Sequence, residues 1–194
     1  MNLFDSNYWT KRYKNQETAW DAGSITTPLK EYIDQLKNKE IRILVPGAGN
    51  SYEAEYLHNS GFSNVFVLDI SAVPLENLKQ RVPSFPEDQL LCEDFFTHQG
   101  QYDLILEQTF FCALDPSLRE AYARKMSELL KKDGRLVGVL FEGILNTGGP
   151  PFGGTREEYL KCFGPYFEVR KLEPCYNSIK PRAGRELFIE LVRK

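Results

Sequence analysis

Between residues 41 and 53 the chain reads IRILVPGAGNSYE: a run of branched apolar residues, a proline, then glycines at 47 and 49 flanking Ala48. A nearly unbroken run of Ile, Leu and Val suits a strand buried on both faces. Such a strand needs a layer above and a layer below it. The polar residues after the glycines open a helix, over about 52–59 and closed by Gly61, that can supply one of them. The alternation then repeats. Strand NVFVLD (64–69) leads to a helix over 73–81, and DQLLCED forms a short strand ending at Asp94. YDLILE (102–107) precedes the clearest helix, in DPSLREAYARKMSELLKKDG. There Asp115 is placed to cap, Pro116 fits the first helical position, and Leu118, Tyr122, Met126 and Leu129 share a face, with Gly134 as the expected stop. RLVGVLFE (135–142) is the next strand. A glycine- and proline-rich loop, NTGGPPFGG, and a helix over 156–163 lead to two closing strands, 167–173 and 186–192. Strand and helix in alternation predict one doubly wound, Rossmann-like α/β domain over residues 1–194. Its sheet is mainly parallel and seven-stranded, with helices on both faces and an antiparallel strand near the C-terminus. Residues 1–40 form an N-terminal arm and helix.

Composition narrows the class of partner. A formal charge of −3 over 194 residues gives no footprint for nucleic acid or an anionic membrane, which points to small-molecule chemistry. Four cysteines (Cys92, Cys112, Cys162, Cys175) without a CxxC, and two distant histidines (His58, His98), give no metal-like spacing and suit reduced thiols in a cytoplasm. No apolar stretch approaches the length of a membrane span, and the opening MNLFDSNYWTKRY lacks a signal-like core. A cytoplasmic monomer is the expectation.

In doubly wound sheets ligands bind beyond the carboxyl ends of the strands, where the winding reverses. PGAGNS sits at such an end, where Gly47 and Gly49 allow positive φ and close backbone approach. Glycine also serves as plain turn punctuation, and the dinucleotide fingerprint GxGxxG fails because Tyr52 stands at its third glycine. Asp69, in VLDIS with Ile70, ends the second strand about twenty residues past the first glycine. It can accept from both ribose hydroxyls or cap the next helix. Asp94 and Phe95, in EDFF, offer a carboxylate for an adenine amino group and a ring for its face. Three adjacent strand ends therefore suit an adenosine compound without a bulky pyrophosphate. S-adenosylmethionine is the leading candidate.

The motifs YWTKRYKNQETAWDAGSITTPL, ILVPGAGNSYE, VLDIS, EDFF, YDLILEQTFFCALDPSLREAYARKMSELL, GGPPF and YNSIKPRAGRE follow one another along nearly the whole chain. With them the chain resembles the thiopurine S-methyltransferase-like family, and most closely its thiol and halide methyltransferase branch. The resemblance implies S-adenosylmethionine as cofactor and a thiol, thiopurine-like compound or halide as acceptor. It makes Trp9, Tyr13 and Trp20 an aromatic set closing over the cofactor, although the branch usually has tryptophan at position 13. It assigns Gly47, Ala48 and Gly49 to the cofactor loop, Asp69 to the ribose, and Asp94 with Phe95 to the adenine. EQTFFCAL, which includes Glu107, Gln108 and Phe111, falls where the methionine part meets the acceptor. Glu107 and Gln108 replace the Asp-Tyr common in the halide branch. Arg119 matches an arginine near the substrate in the thiopurine enzymes. It sits against the helix dipole, where it could hold an anionic acceptor or pair with Asp115. Glu142 replaces a proline common in the branch and could face the acceptor or solvent. Cys112, in an apolar run without a neighbouring base, reads as packing. Two other readings stay open: a cofactor-binding protein without turnover, and a dinucleotide-dependent oxidoreductase.

Overall fold

The computed structural model describes residues 4–143, 145, 146 and 148–194. The first three residues of the N-terminal arm and position 147 of the NTGGPPFGG loop lie outside the described residues. The strands are β1 (Ile43–Pro46), β2 (Val65–Asp69), β3 (Leu90–Cys92), β4 (Tyr102–Gln108), β5 (Leu130–Phe141), β6 (Phe167–Pro174) and β7 (Glu186–Arg193). They form one sheet in the order β3-β2-β1-β4-β5-β7-β6. β7 is antiparallel to both of its neighbours, while every other pairing is parallel. The sequence pattern anticipates this architecture.

Strand periodicity divides the core between two layers. Ile43, Val45, Val65, Val67, Leu104, Leu106 and Val137 face one side with Leu29 and Ile33 of α2 (Thr27–Asp34), Ala54 and Leu57 of α3 (Tyr52–Asn59), and Leu75 and Leu78 of α4 (Ala72–Arg81). Leu44, Leu68, Ile105, Leu136 and Leu140 face the other. There they meet Tyr122, Ala123 and Met126 of α5 (Arg119–Leu129) and Tyr159 and Phe163 of α6 (Arg156–Phe163). A capping box fixes the start of α6: Thr155 Oγ1 accepts from the Glu158 amide, and the Glu158 carboxylate accepts from the Thr155 amide. The first helix, α1 (Ser6–Lys14), is fastened to the carboxyl end of β2. Ser6 Oγ donates to the Ile70 carbonyl at 2.9 Å, and the Thr10 and Ser71 hydroxyls lie 2.8 Å apart.

The ladder between β1 and β4 is short. β1 pairs with β2 through to Pro46, and β4 pairs with β5 through to Gln108, but β1 and β4 pair only at Ile43 with Leu104 and Leu44 with Ile105. Past those residues the two central strands part. The reversal of winding therefore opens a crevice flanked by the glycine turn after β1 and by Gln108 at the end of β4.

One boundary departs from the sequence reading. The helix expected to run from Pro116 to Gly134 is a 3-10 turn over Pro116–Leu118, capped by Asp115, followed by α5; the chain is already in β5 at Leu130. Leu130 pairs with Tyr102, and the register then slips, because Asp133 takes φ 61° and Gly134 packs against the Lys131 carbonyl. Gly134 thus serves an irregularity within a strand rather than a helix stop. Periodicity alone could not separate them, since Leu129 and Leu130 are both buried.

Gly138 is the tightest point of the parallel half of the sheet. It lies opposite Glu107, and a Cβ there would fall 2.0 Å from the Glu107 carbonyl oxygen. Because backbone cannot yield as a flexible side chain does, Gly138→Ala should cost about 1–3 kcal/mol and lower Tm by several degrees. Gly148→Ala, where a Cβ meets nothing within 4 Å, should leave Tm unchanged in the same thermal melts.

Candidate active site

A cavity of about 390 Å³ fills the crevice, within the usual size range of small-ligand sites. Its floor is the glycine turn. Gly47 and Gly49 adopt φ of 55° and 52°. A Cβ at Gly49 would lie 3.0 Å from the Tyr13 hydroxyl, so the turn and the arm approach each other closely. At Gly47 the missing side chain makes room for the protein itself: a Cβ would strike the Phe110 ring at 2.1 Å. That glycine is required by packing against the next strand end as much as by any ligand.

Asp69 is buried beside the turn. Its Oδ2 accepts from the Gly49 amide at 3.1 Å and its Oδ1 from the Ser71 amide at 2.9 Å. The cap position of α4 belongs to Ser71, so Asp69 is not the helix cap. Burial pushes its carboxyl up to about 6, against the pull of these backbone donors. Ile70, Asp94, Phe95 and Phe96 continue the wall beyond β2 and β3. Asp94 Oδ1 accepts from the Phe96 amide at 2.8 Å, and Phe95 packs edge-on against Phe96 and Phe110. A carboxylate at the rim beside an aromatic wall is a fitting recess for a purine.

The arm supplies the roof. Trp20 meets Trp9 and Tyr13 edge-to-face at centroid distances of 5.6 and 5.8 Å, and Arg12 lies over the Trp20 ring. Burial drives the Tyr13 hydroxyl far above its ordinary range, so it remains a neutral phenol. Asn50 links roof to floor, donating to Asp21 while accepting from Asn77 at 2.9 Å.

At the end of β4, Thr26 Oγ1 donates to Gln108 Oε1 at 2.8 Å. This leaves the buried Gln108 Nε2 as a donor without an acceptor among the described residues. Thr109, next in sequence, is held at φ 60°, a left-handed conformation that costs a β-branched residue about 1–3 kcal/mol. Glu107 sits beneath this loop and holds it. Its Oε1 accepts from the Phe110 and Phe111 amides at 2.8 and 3.0 Å, and the Tyr122 hydroxyl donates to Oε2. Burial pushes Glu107 up to about 7.

Of the residues singled out in the sequence, Trp9, Tyr13, Trp20, Gly47, Ala48, Gly49, Asp69, Ile70, Asp94, Phe95 and Gln108 line the cavity. Four do not. Glu107 supports the loop from below, and Phe111 is buried against Tyr122, Tyr159 and Phe163. Glu142 is exposed on the strand-like pairing with Gly154. Arg119 neither faces the cavity nor pairs with Asp115. Its Nη2 donates to the Gly153 carbonyl at 2.6 Å, and its guanidinium lies over Phe111, so it secures the proline-rich loop from behind. That loop does reach the site through Pro150 and Pro151. Cys112 lines the wall with its thiol pushed up by burial and then by Glu107, which keeps it protonated and non-nucleophilic.

Sequence reasoning missed Thr26, Asn50, Glu53 and Arg182. Thr26 reads as an ordinary residue before a helical proline, and Arg182 as one basic residue in a polar tail. Arg182 is buried, donates to the Trp20 carbonyl at 2.6 Å and lies 3.5 Å from Glu186, so the tail is locked onto the arm.

These residues fit S-adenosylmethionine. The floor admits backbone approach, Asp69 and Asp94 supply acceptors at adjacent strand ends, Gln108 Nε2 is a buried donor without an acceptor among the described residues, and Trp9, Tyr13 and Trp20 add aromatic rings to the wall, a chemistry that suits a sulfonium.

The comparisons agree. The family model described as Thiopurine S-methyltransferase (TPMT) matches residues 4–190. "Probable thiol methyltransferase 2" of Arabidopsis thaliana is 32% identical, over 96% of this chain and 84% of that protein. "Thiocyanate methyltransferase 1" of the same plant is 33% identical, over 92% of this chain and 81% of its own. Among solved structures, magnesium protoporphyrin IX methyltransferase from Synechocystis PCC 6803 with bound SAH superposes with a TM-score of 0.74 at 14% identity, covering 97% of this chain and 98% of that one. A TehB-like SAM-dependent methyltransferase from Corynebacterium glutamicum gives a TM-score of 0.70 at 19% identity, with 97% and 98% covered. These two share the fold. The chain belongs to the thiopurine S-methyltransferase family and is an S-adenosylmethionine-dependent methyltransferase.

Three buried carboxyls set a pH dependence. Burial raises Glu53 and Glu107 to about 7 and Asp69 to about 6. Each therefore binds its proton more tightly folded than unfolded, so the stabilisation is full below the ordinary carboxylate range and is lost as pH climbs through 6 to 7. Tm of the cofactor-free protein should fall between pH 5 and pH 8. Glu107→Gln, which can still accept from both amides and can donate to Tyr122, should flatten that slope. An unchanged slope would show that Glu107 is not one of the titrating groups.

Proposed function

We propose that this member of the thiopurine S-methyltransferase family methylates a small sulfur nucleophile or inorganic anion, with the cavity beyond β1, β2, β3 and β4 as its cofactor site. The observation that carries the reading is the division of the cavity wall. Its β2 and β3 end has Asp69, Asp94 and aromatic rings. Its β4 and β5 end carries Cys112, Ala113, Leu114, Phe141, Pro150 and Pro151, with the cations Arg182 and Arg185 of the segment before β7 beside them.

Bound S-adenosylmethionine supplies a methyl group activated by a sulfonium and open to in-line displacement. The rest is positioning by the chain. Asp69 and Asp94 accept from ribose and adenine, with Phe95 and Phe96 beside the base, and Gln108 donates from Nε2. Trp9, Tyr13 and Trp20 close over the site and keep out water, which would compete for the methyl group. The β4 and β5 end desolvates the nucleophile and aligns it with the reacting carbon, which can supply most of the acceleration.

Acceptor class follows from what that end lacks. Neither histidine is in the cavity wall: His98 is held by Glu93 and Tyr102, and His58 by Ser84. Cys112 is a neutral thiol, and Glu53, a buried carboxyl of the same wall, answers to the cofactor rather than to the acceptor, while Arg182 and Arg185 favour an anion. Such a surface suits an acceptor that arrives anionic or nearly so, as a thiolate, hydrosulfide, thiocyanate or halide does, because no proton need be removed at the moment of transfer. The names of the thiol and thiocyanate methyltransferases of Arabidopsis thaliana support the same class.

The deciding experiment follows S-adenosylhomocysteine release with bisulfide, methanethiol, an aromatic thiol, a thiopurine, thiocyanate and iodide. We expect turnover with at least one sulfur acceptor. Turnover confined to oxygen or nitrogen acceptors would overturn the assignment. In calorimetry Asp69→Asn should weaken S-adenosylhomocysteine by about tenfold to a hundredfold, the worth of losing charge-assisted hydrogen bonds.

A further inference from the structure

Glu53 is a buried carboxyl of the cavity wall that has no ion-pair partner among the described residues, and the first turn of α3, which favours an acid, is its main compensation. It is the second residue of α3, is 6% exposed, and lies in the wall of the cavity. Its only hydrogen bond among the described residues comes from its own backbone amide. No ion pair from the described residues reaches it within 4.0 Å. Two charges face it, Arg182 from the segment before β7 and Asp21 from the loop after α1. Arg182 donates from Nη2 to the Trp20 carbonyl and lies 3.5 Å from Glu186 through Nη1, which has no hydrogen-bond acceptor among the described residues and makes no ion pair with Glu53 within 4.0 Å. Asp21 is an acceptor of the same sign, held by Asn50.

A carboxylate taken out of water without a counter-ion is costly, and the cost is relieved when a cation or strong donor enters. Burial pushes Glu53 up to about 7, the mark of a charge short of partners. Its placement says which part of the cofactor could relieve it. Asp69 and Asp94 mark the adenosine end at β2 and β3, whereas Arg182, the cation whose field acts on Glu53 and which shares the cavity wall with it, lies over Phe141 at the end of β5. Glu53 therefore faces the opposite half of the cavity, where the amino-acid part of the cofactor extends. In that part the α-carboxylate would be repelled and the sulfonium has no N–H to donate. The α-ammonium has three.

We infer that Glu53 is a cofactor-binding residue that receives the α-ammonium group of the methionine moiety; this rests on the cofactor site assigned above. The ionised carboxylate and the ammonium then neutralise each other in the cavity, and the unliganded protein carries the buried carboxyl as a reserved site.

Three ligands separate this from a structural role: S-adenosylhomocysteine; S-(5′-adenosyl)-3-thiopropylamine, which keeps the amine and lacks the carboxylate; and 5′-methylthioadenosine, which lacks both. By titration calorimetry Glu53→Gln should weaken the first two by about tenfold or more and leave the third unchanged. Wild-type affinity for the first two should rise as pH climbs through 7, and this rise should be absent for 5′-methylthioadenosine in the same range. Unchanged affinity of Glu53→Gln for S-adenosylhomocysteine, or an equal loss for all three ligands, would overturn the proposal. Wild-type protein that binds 5′-methylthioadenosine but gains nothing from the added amine would overturn it while leaving the adenosine site intact. Wild-type protein that binds none of them would remove the cofactor site and the proposal with it.

Discussion

The parting of β1 from β4 after two paired residues is the constraint on which the site depends. Both strands stay paired on their outer sides to their carboxyl ends, β1 to β2 through Pro46 and β4 to β5 through Gln108, so each is held in place while the gap between them opens. Backbone groups at that gap cannot finish their ladder and must be satisfied otherwise. The chain does this with turns and carboxylates. The Gly49 amide turns to Asp69, and the amides of Phe110 and Phe111 turn to Glu107. The same divergence that makes room for a ligand thus calls for buried acids beneath both lips of the crevice.

Those acids bring a conflict between stability and function. Asp69, Glu107 and Glu53 all lie at the site, and burial raises all three. A protein selected for stability alone would fill such positions with neutral side chains of similar shape. Glu107 offsets its desolvation with three donors and in return holds Thr109 in a left-handed conformation. Asp69 offsets part of its own with two amides and keeps lone pairs free for further donors. Glu53 has the least compensation, which is why it is the most informative of the three about what enters the cavity.

The fold was legible because it rests on signals that local sequence carries well. Branched apolar runs marked β1, β2, β4 and β5, and the glycine turn marked the end of β1. Gly134 was misread because two buried leucines straddle a helix–strand junction, where a helical and a strand period fit the same residues. That Gly49, Asp69 and Asp94 line one cavity was legible for the same reason as the fold: Gly49 and Asp94 follow strands and Asp69 ends one, so topology brings them together. Residues placed by tertiary contact were not. Thr26 meets Gln108 across 82 positions, and Arg182 meets Trp20 across 162. Arg119 shows the converse. Motif matching carried it toward the substrate, whereas the structure spends its guanidinium on the Gly153 carbonyl and the Phe111 ring, one layer behind the wall.

This asymmetry bears on how such a family changes acceptor. The end of the cavity proposed for the cofactor is built from neighbouring strand ends, so altering it disturbs the sheet. The other end is assembled from the loop after β4, Phe141 at the end of β5, Pro150 and Pro151, and the tail before β7. These are segments far apart in sequence that meet through single backbone hydrogen bonds, from the Phe152 amide to the Cys112 carbonyl and from the Glu142 amide to the Arg185 carbonyl. Arg119 holding the Gly153 carbonyl and Arg182 holding the Trp20 carbonyl fix where the loop and the arm sit without specifying what side chains they present. Substitutions at the cavity surface can therefore alter size and polarity while the anchors behind it keep the loops in register. On the proposed function, acceptor choice therefore falls to wall residues such as Cys112, Phe141 and Pro151 and not to the glycine turn, whose Gly47 is already required by the Phe110 ring.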